Sequence, residues 1–156
     1  MQTKNNQKIN FKLVKPADCL TLRQLVLRKN KAIETCIFDG DQLKSTFHIG
    51  AFFNSQLIGI LSLMPFKNDR FRLNKQYQLR GMAIHPKMQS KGVGKELLTY
   101  SLSFLQNKNI NLCWCNARAK AVNFYQKHGF NSYGEEFEIK EVGPHLLMAF
   151  TCLPNE

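Results

Sequence analysis

Gln89, Gly92 and Gly94 stand at Q-x-x-G-x-G spacing, with Ser90, Lys91, Val93 and Lys95 completing the stretch. Two glycines so close let a bulky group approach the main chain, because neither carries a Cβ. If a helix begins here, its first N–H groups are unpaired and the positive end of its dipole faces outward, which suits an anion. Lys91 and Lys95 add charge. Nucleotide motifs fail on spacing: a Walker loop needs glycine where Gln89 stands, and a dinucleotide fingerprint needs one where Leu97 stands. By itself the pattern reads equally as a structural turn.

An anion loop needs a strand before it and a helix after it. Residues 77–84 are an apolar run stopped by His85-Pro86, since proline lacks an N–H and biases its predecessor away from helix. Val93, Leu97, Leu98, Leu102 and Leu105 recur near 3.6 residues and predict the helix. Residues 111–115 predict a further strand. A helix after Asn116 follows, with Ala121, Val122 and Tyr125 on one face. Gly129 is its expected left-handed stop, on which Phe130 folds back.

The first half is plainer. Residues 9–14 alternate and read as a half-buried strand. Asp18 is placed to cap a helix with the face Leu22, Leu25 and Val26. Residues 31–45 carry helical spacing at Ala32, Ile33, Cys36 and Ile37, broken by Asp39-Gly40-Asp41, with Glu34 read as solvated. Residues 47–53 and 57–64 form a hairpin turned by residues 54–56, followed by a polar, basic loop over 67–76. A last hairpin pairs 130–139 with 145–152. The order β-α-(α)-β-β-β-α-β-α-β-β predicts an α/β (α+β) domain spanning 1–156. Its sheet is mixed and largely antiparallel, of about 6–7 strands, with helices on both faces.

The chain of 156 residues carries 22 Lys and Arg against 11 Asp and Glu, a net charge of +11. Such an excess suits an anionic partner or merely a basic surface, and no RNA-binding motif accompanies it. No apolar run nears the ~20 residues that span a bilayer. The polar start lacks a signal core, so a cytoplasmic location and no membrane partner are expected. Cys19, Cys36, Cys113, Cys115 and Cys152 are odd in number and read as reduced thiols. Cys113 and Cys115 share a strand face but lack the partners of a zinc site, so no metal is expected.

The loop with Met82-Ala83-Ile84-His85-Pro86 before it resembles the GNAT acyl-CoA N-acetyltransferase superfamily. The stretch from Asn116 through Phe124-Tyr125 to Gly129-Phe130 resembles the same family, and Gly134-Glu135-Glu136-Phe137 with Gly143-Pro144-His145 resembles its ElaA-like branch. Recognisable similarity covers residues 77–150. The resemblance implies acetyl-CoA as co-substrate, its pyrophosphate held over 89–95. It implies a splayed strand at Met82, Ala83 and Ile84 pairing with pantetheine, an N–H near Met82 on the thioester carbonyl, and Tyr125 as the acid for the leaving thiolate. Asn123 and Asn116 are candidate cofactor contacts, although Arg118 stands where the commonest pattern has asparagine. The usual strand glutamate is absent, with Arg80 in that strand. The base is then sought among His145, Glu135, Glu136, His85 and water, and we take His145, which reads equally as a turn residue.

The expected function is acetyl transfer from acetyl-CoA to a primary amine by direct attack, in a monomer or homodimer. The alternative is a non-catalytic CoA- or RNA-binding protein of the same fold.

Overall fold

The computed structural model describes residues 8–152. Within them lie strands β1 (Asn10–Val14), β2 (Phe47–Phe53), β3 (Gln56–Met64), β4 (Gln76–Ile84), β5 (Leu112–Arg118), β6 (Asn131–Ile139) and β7 (Gly143–Thr151), and helices α1 (Leu20–Leu27), α2 (Val93–Asn107) and α3 (Val122–Lys127). The strands form one sheet in the order β1-β2-β3-β4-β5-β7-β6. β4 and β5 run parallel, from Gln76 opposite Leu112 to Gln78 opposite Trp114, while β1 and β2, β5 and β7, and β6 and β7 are antiparallel. The predicted mixed, mostly antiparallel sheet is therefore observed. The chain divides into two compact units, residues 8–62 with 81–100 and residues 63–80 with 101–152.

In the first unit, helices cover opposite faces of β3. Cys19 and Leu22 pack with Ile60 and Ala83, and Val26 rests against that cluster. A Cβ on Gly59, one residue back and so on the other face, would lie 2.8 Å from Ile84 and 3.5 Å from Leu97 of α2. Glycine there lets α2 approach the sheet. The whole predicted stripe of α2, from Val93 to Leu105, is buried.

Three local expectations change in this unit. Asp18 does not cap α1: Pro16 opens a short 3₁₀ turn, Pro16–Cys19, one turn earlier, and Asp18 accepts from the Lys15 N–H at 3.0 Å. Leu25 is 40% exposed, and the stripe shifts to include Arg23. The helical spacing after residue 31 yields only a 3₁₀ turn, Ile33–Cys36, with Cys36 buried and Ile37 exposed.

In the second unit, β5 extends to Arg118, so Asn116 lies within a strand rather than at a helix start. Pairing with β7 wins here: Asn116 faces Leu147 and Arg118 faces His145. Leu112 and Trp114 share one face with Leu147 and Ala149, covered by Phe71 from residues 65–75. Gln76 ties that loop down, donating to Leu73 O at 2.7 Å and accepting from the Asn68 N–H at 2.8 Å. Trp114 Nε1 donates to Phe66 O at 2.9 Å. α3 ends as predicted: Gly129 has φ +93°, and the Phe130 N–H reaches back to Tyr125 O at 3.0 Å.

Candidate active site

The anion loop begins where β4 stops. The His85 N–H donates to Ile58 O at 2.7 Å, and its Nδ1 accepts from the Lys87 N–H at 3.1 Å, capping a 3₁₀ turn, Pro86–Met88. Those bonds give His85 a structural role. Gln89 Nε2 donates to Ile84 O at 2.9 Å, folding the loop onto the strand end. Ser90 and Gly92 then take φ of +62° and +85° and turn the chain into α2. A Cβ on Gly92 would meet nothing within 4 Å. Val93 is buried, so it offers the loop only its main chain, while Lys91 and Lys95 are exposed and Gly94 is half-buried. Open space, unpaired helix-start N–H groups and two lysines make a cradle that fits the pyrophosphate of coenzyme A. Glu96 in the same turn tempers the charge. Beside it opens a hollow of about 630 Å³ lined by Lys8, Phe53, Met88 and Lys91.

Met82, Ala83 and Ile84 form the end of β4, beyond its pairing with β5 at Gln76–Gln78. Ala83 is buried in the α1 cluster, while Met82 and Ile84 are half-buried. This segment and residues 89–95 are brought together in the first unit.

Tyr125, His145, Asn116 and Asn123 belong to the second unit. The Tyr125 ring is 7% exposed and tilts against Phe130, with centroids 5.2 Å apart. Burial pushes its phenol well above the ordinary value, and the neighbouring Cys115 and Cys113 push it further. Phe130 in turn packs on Phe150, 5.6 Å between centroids, and Phe150 lies opposite Cys113 in register, so Tyr125 sits on the Cys113 face of the sheet. His145 is 4% exposed and lies on the other face, beside Arg118 and Phe137 in register. Its Nδ1 is 2.8 Å from Gly143 O. A carbonyl only accepts, so Nδ1 carries the proton and a neutral ring keeps Nε2 bare. Asn116 is exposed on the His145 face, and Asn123 is exposed on α3.

Sequence reading missed one cluster. Arg23 is 0% exposed and forms a two-point ion pair with Asp41, Nη1 to Oδ2 at 2.7 Å and Nη2 to Oδ1 at 3.0 Å. Nη1 also donates to Cys36 O at 2.8 Å and Nη2 to Ser62 Oγ at 2.9 Å. His48 Nε2 is 2.9 Å from Asp41 O and so donates, which leaves Nδ1 to accept the Ser62 hydroxyl at 2.6 Å. Burial alone would push the Asp41 carboxyl up, but bonds from Arg23 and the Phe38 N–H outweigh it and hold the carboxyl low. The available signal was an arginine beside Leu22 on the apolar side of α1, followed by Asp39-Gly40-Asp41. Among the described residues no group of His, Cys, Asp and Glu is arranged to hold a metal ion, and no helix is long and apolar enough to cross a membrane.

The strand, glycine turn and helix start are consistent with an acyltransferase, and the comparison gives the family: residues 44–132 match the acetyltransferase (GNAT) domain, to which family this chain belongs. It is 30% identical over 140 residues to YitI of Bacillus subtilis (strain 168), an uncharacterized N-acetyltransferase, covering 90% of this chain and 94% of that one. Its fold is similar to that of Escherichia coli ElaA, with a TM-score of 0.74 at 20% identity over 92% of this chain and 99% of that one. It is also similar to an aminoglycoside 6′-N-acetyltransferase solved with coenzyme A, with a TM-score of 0.71 at 13% identity over 94% of this chain and 99% of that one.

Proposed function

We propose that this GNAT acetyltransferase moves an acetyl group from acetyl-CoA to a primary amine by direct attack. The observation that carries this reading is the open, left-handed turn at Gly92, which leaves the start of a 15-residue helix facing free space. Acetyl-CoA supplies the activated acyl group and a thiolate leaving group. The main chain over 89–95 binds the pyrophosphate, with Lys91 and Lys95 adding attraction. Met82, Ala83 and Ile84 pair with the pantetheine arm as an added strand, and the Met82 N–H polarises the carbonyl. Asn123 and Asn116 are exposed and free to contact the cofactor.

As the amine nitrogen bonds to the acyl carbon, His145 Nε2 takes the amine proton. As the C–S bond breaks, the Tyr125 hydroxyl gives its proton to sulfur. Burial keeps that hydroxyl protonated at neutral pH.

Thiol release from acetyl-CoA, followed with a panel of primary amines, tests the reading. Amine-dependent release supports it. Tight coenzyme A binding without turnover on any amine would favour the non-catalytic alternative.

A further inference from the structure

We propose that Arg23 is a positioning residue for β4, holding the backbone at Gly81 and so the N–H groups that follow it. This rests on the acetyl-transfer reading, in which Met82 polarises the thioester. Gly81 has φ +63° inside a nine-residue strand. A Cβ there would lie 3.1 Å from Arg23 Nε and 3.0 Å from the Phe38 ring. Phe38 in turn stacks on the guanidinium, 4.0 Å from its carbon to the ring centroid. Cation and ring therefore fill the notch where Gly81 lacks a side chain. An isolated glycine in a strand marks such a close approach.

The other edge of the guanidinium is fully engaged. Its four bonds run to Cys36 O, both Asp41 oxygens and Ser62 Oγ. Because the group is planar, those four bonds fix the direction of the remaining Nε edge. Nε itself is buried and has no hydrogen-bond partner among the described residues. If Arg23 served only to fill space, an apolar side chain would do so without that orphaned donor. What arginine adds is one rigid plane shared by the loop at Cys36–Asp41, β3 and the turn of β4 at Gly81. A displacement of that loop is thereby passed to the strand that carries Met82.

Arg23→Lys tests this, because lysine keeps the charge but neither the two-point pair nor the flat stack. We expect kcat to fall roughly tenfold to a hundredfold, as for a small misplacement of reacting groups, with coenzyme A affinity within about twofold of wild type. Amide hydrogen exchange should quicken at residues 81–83 as well as 36–41. Gly81→Ala should disturb the same amides, and the double variant should be non-additive. A lower Tm with kcat intact, or faster exchange confined to 36–41, would overturn the proposal. Should Arg23→Lys fail to fold, Phe38→Leu removes only the stacked ring and is read the same way. If the wild type turns over no amine, the acetyl-transfer reading fails separately, and exchange at 81–83 still decides the coupling.

Discussion

Tyr125 and His145 project from opposite faces of one sheet: Tyr125 packs through Phe130 on Phe150, which lies opposite Cys113, whereas His145 pairs in register with Arg118 and Phe137. Two groups so separated are removable one at a time. Tyr125→Phe keeps the ring and its packing on Phe130. It should lower kcat by about 10²–10⁴-fold, the usual worth of a positioned acid, and leave coenzyme A affinity nearly unchanged. The loss should shrink with an acyl donor whose thiol is more acidic. Full kcat in the phenylalanine variant, with chemistry rate-limiting, would reduce Tyr125 to a packing residue.

His145→Gln keeps a hydrogen bond to Gly143 O within reach while removing the basic nitrogen. At a fixed pH, kcat should fall by about 10²-fold or more. Coenzyme A affinity should hold. An unchanged kcat, with chemistry rate-limiting, would return the role of base to water or to Glu135 or Glu136.

Gly92→Val places a branched side chain in the open turn. We expect coenzyme A to bind at least about tenfold more weakly by calorimetry, equivalent to about 1.4 kcal/mol. The left-handed backbone adds strain of about 1–2 kcal/mol. Gly143→Val is the control, since that glycine also has positive φ, at +112°, with nothing within 4 Å of its Cβ position. It should lose similar stability but keep its affinity for coenzyme A. Equal affinity losses in the two variants would refute the loop assignment.

Asp41→Asn leaves the buried Arg23 cation without its carboxylate, a change that typically costs about 3–5 kcal/mol. The Asp41 carboxyl is held below its ordinary value of 3.8. Its stabilisation is therefore complete above that value and lost as pH falls through the lower folded-state value. Wild-type stability should drop as the pH goes below about 4, and the asparagine variant should show a shallower drop from a lower start. Chemical unfolding at several acidic pH values measures both.

All five cysteines are buried and free. Burial pushes the Cys115 thiol up to about 12, and those of Cys19 and Cys152 to about 11. These folded-state values lie above the ordinary 9.0. The stabilisation they give is thus present below that pH and lost as pH rises toward 11 and 12. A thiol reagent at pH 8 should label the native chain slowly and all five cysteines after unfolding. Fast labelling of native Cys115 would contradict this.

Much of the frame was legible because its signals are local. The α2 stripe, and the Gly129 stop with Phe130 folded back, depend on residues a few positions apart. The end of β5 was not legible: Asn116, Ala117 and Arg118 read as a helix start, and only pairing with β7 makes them strand. Arg23 escaped notice because its partners Asp41 and Ser62 lie 18 and 39 residues away. The same holds at the candidate site. The Gly92 loop is written in consecutive residues, while the separation of Tyr125 from His145 follows from register.

The sealing of Trp114 under residues 65–75 has a spectroscopic consequence. It is the only tryptophan of the chain, and its indole N–H is bonded to Phe66 O. Its emission therefore belongs to one cluster, formed with Phe71, Leu112, Leu147 and Ala149. A red shift dates the moment water reaches that face of β5. Events confined to the Gly92 turn or to the Arg23 cluster leave the emission colour untouched, so a mismatch between fluorescence and circular dichroism during unfolding would time the two units separately.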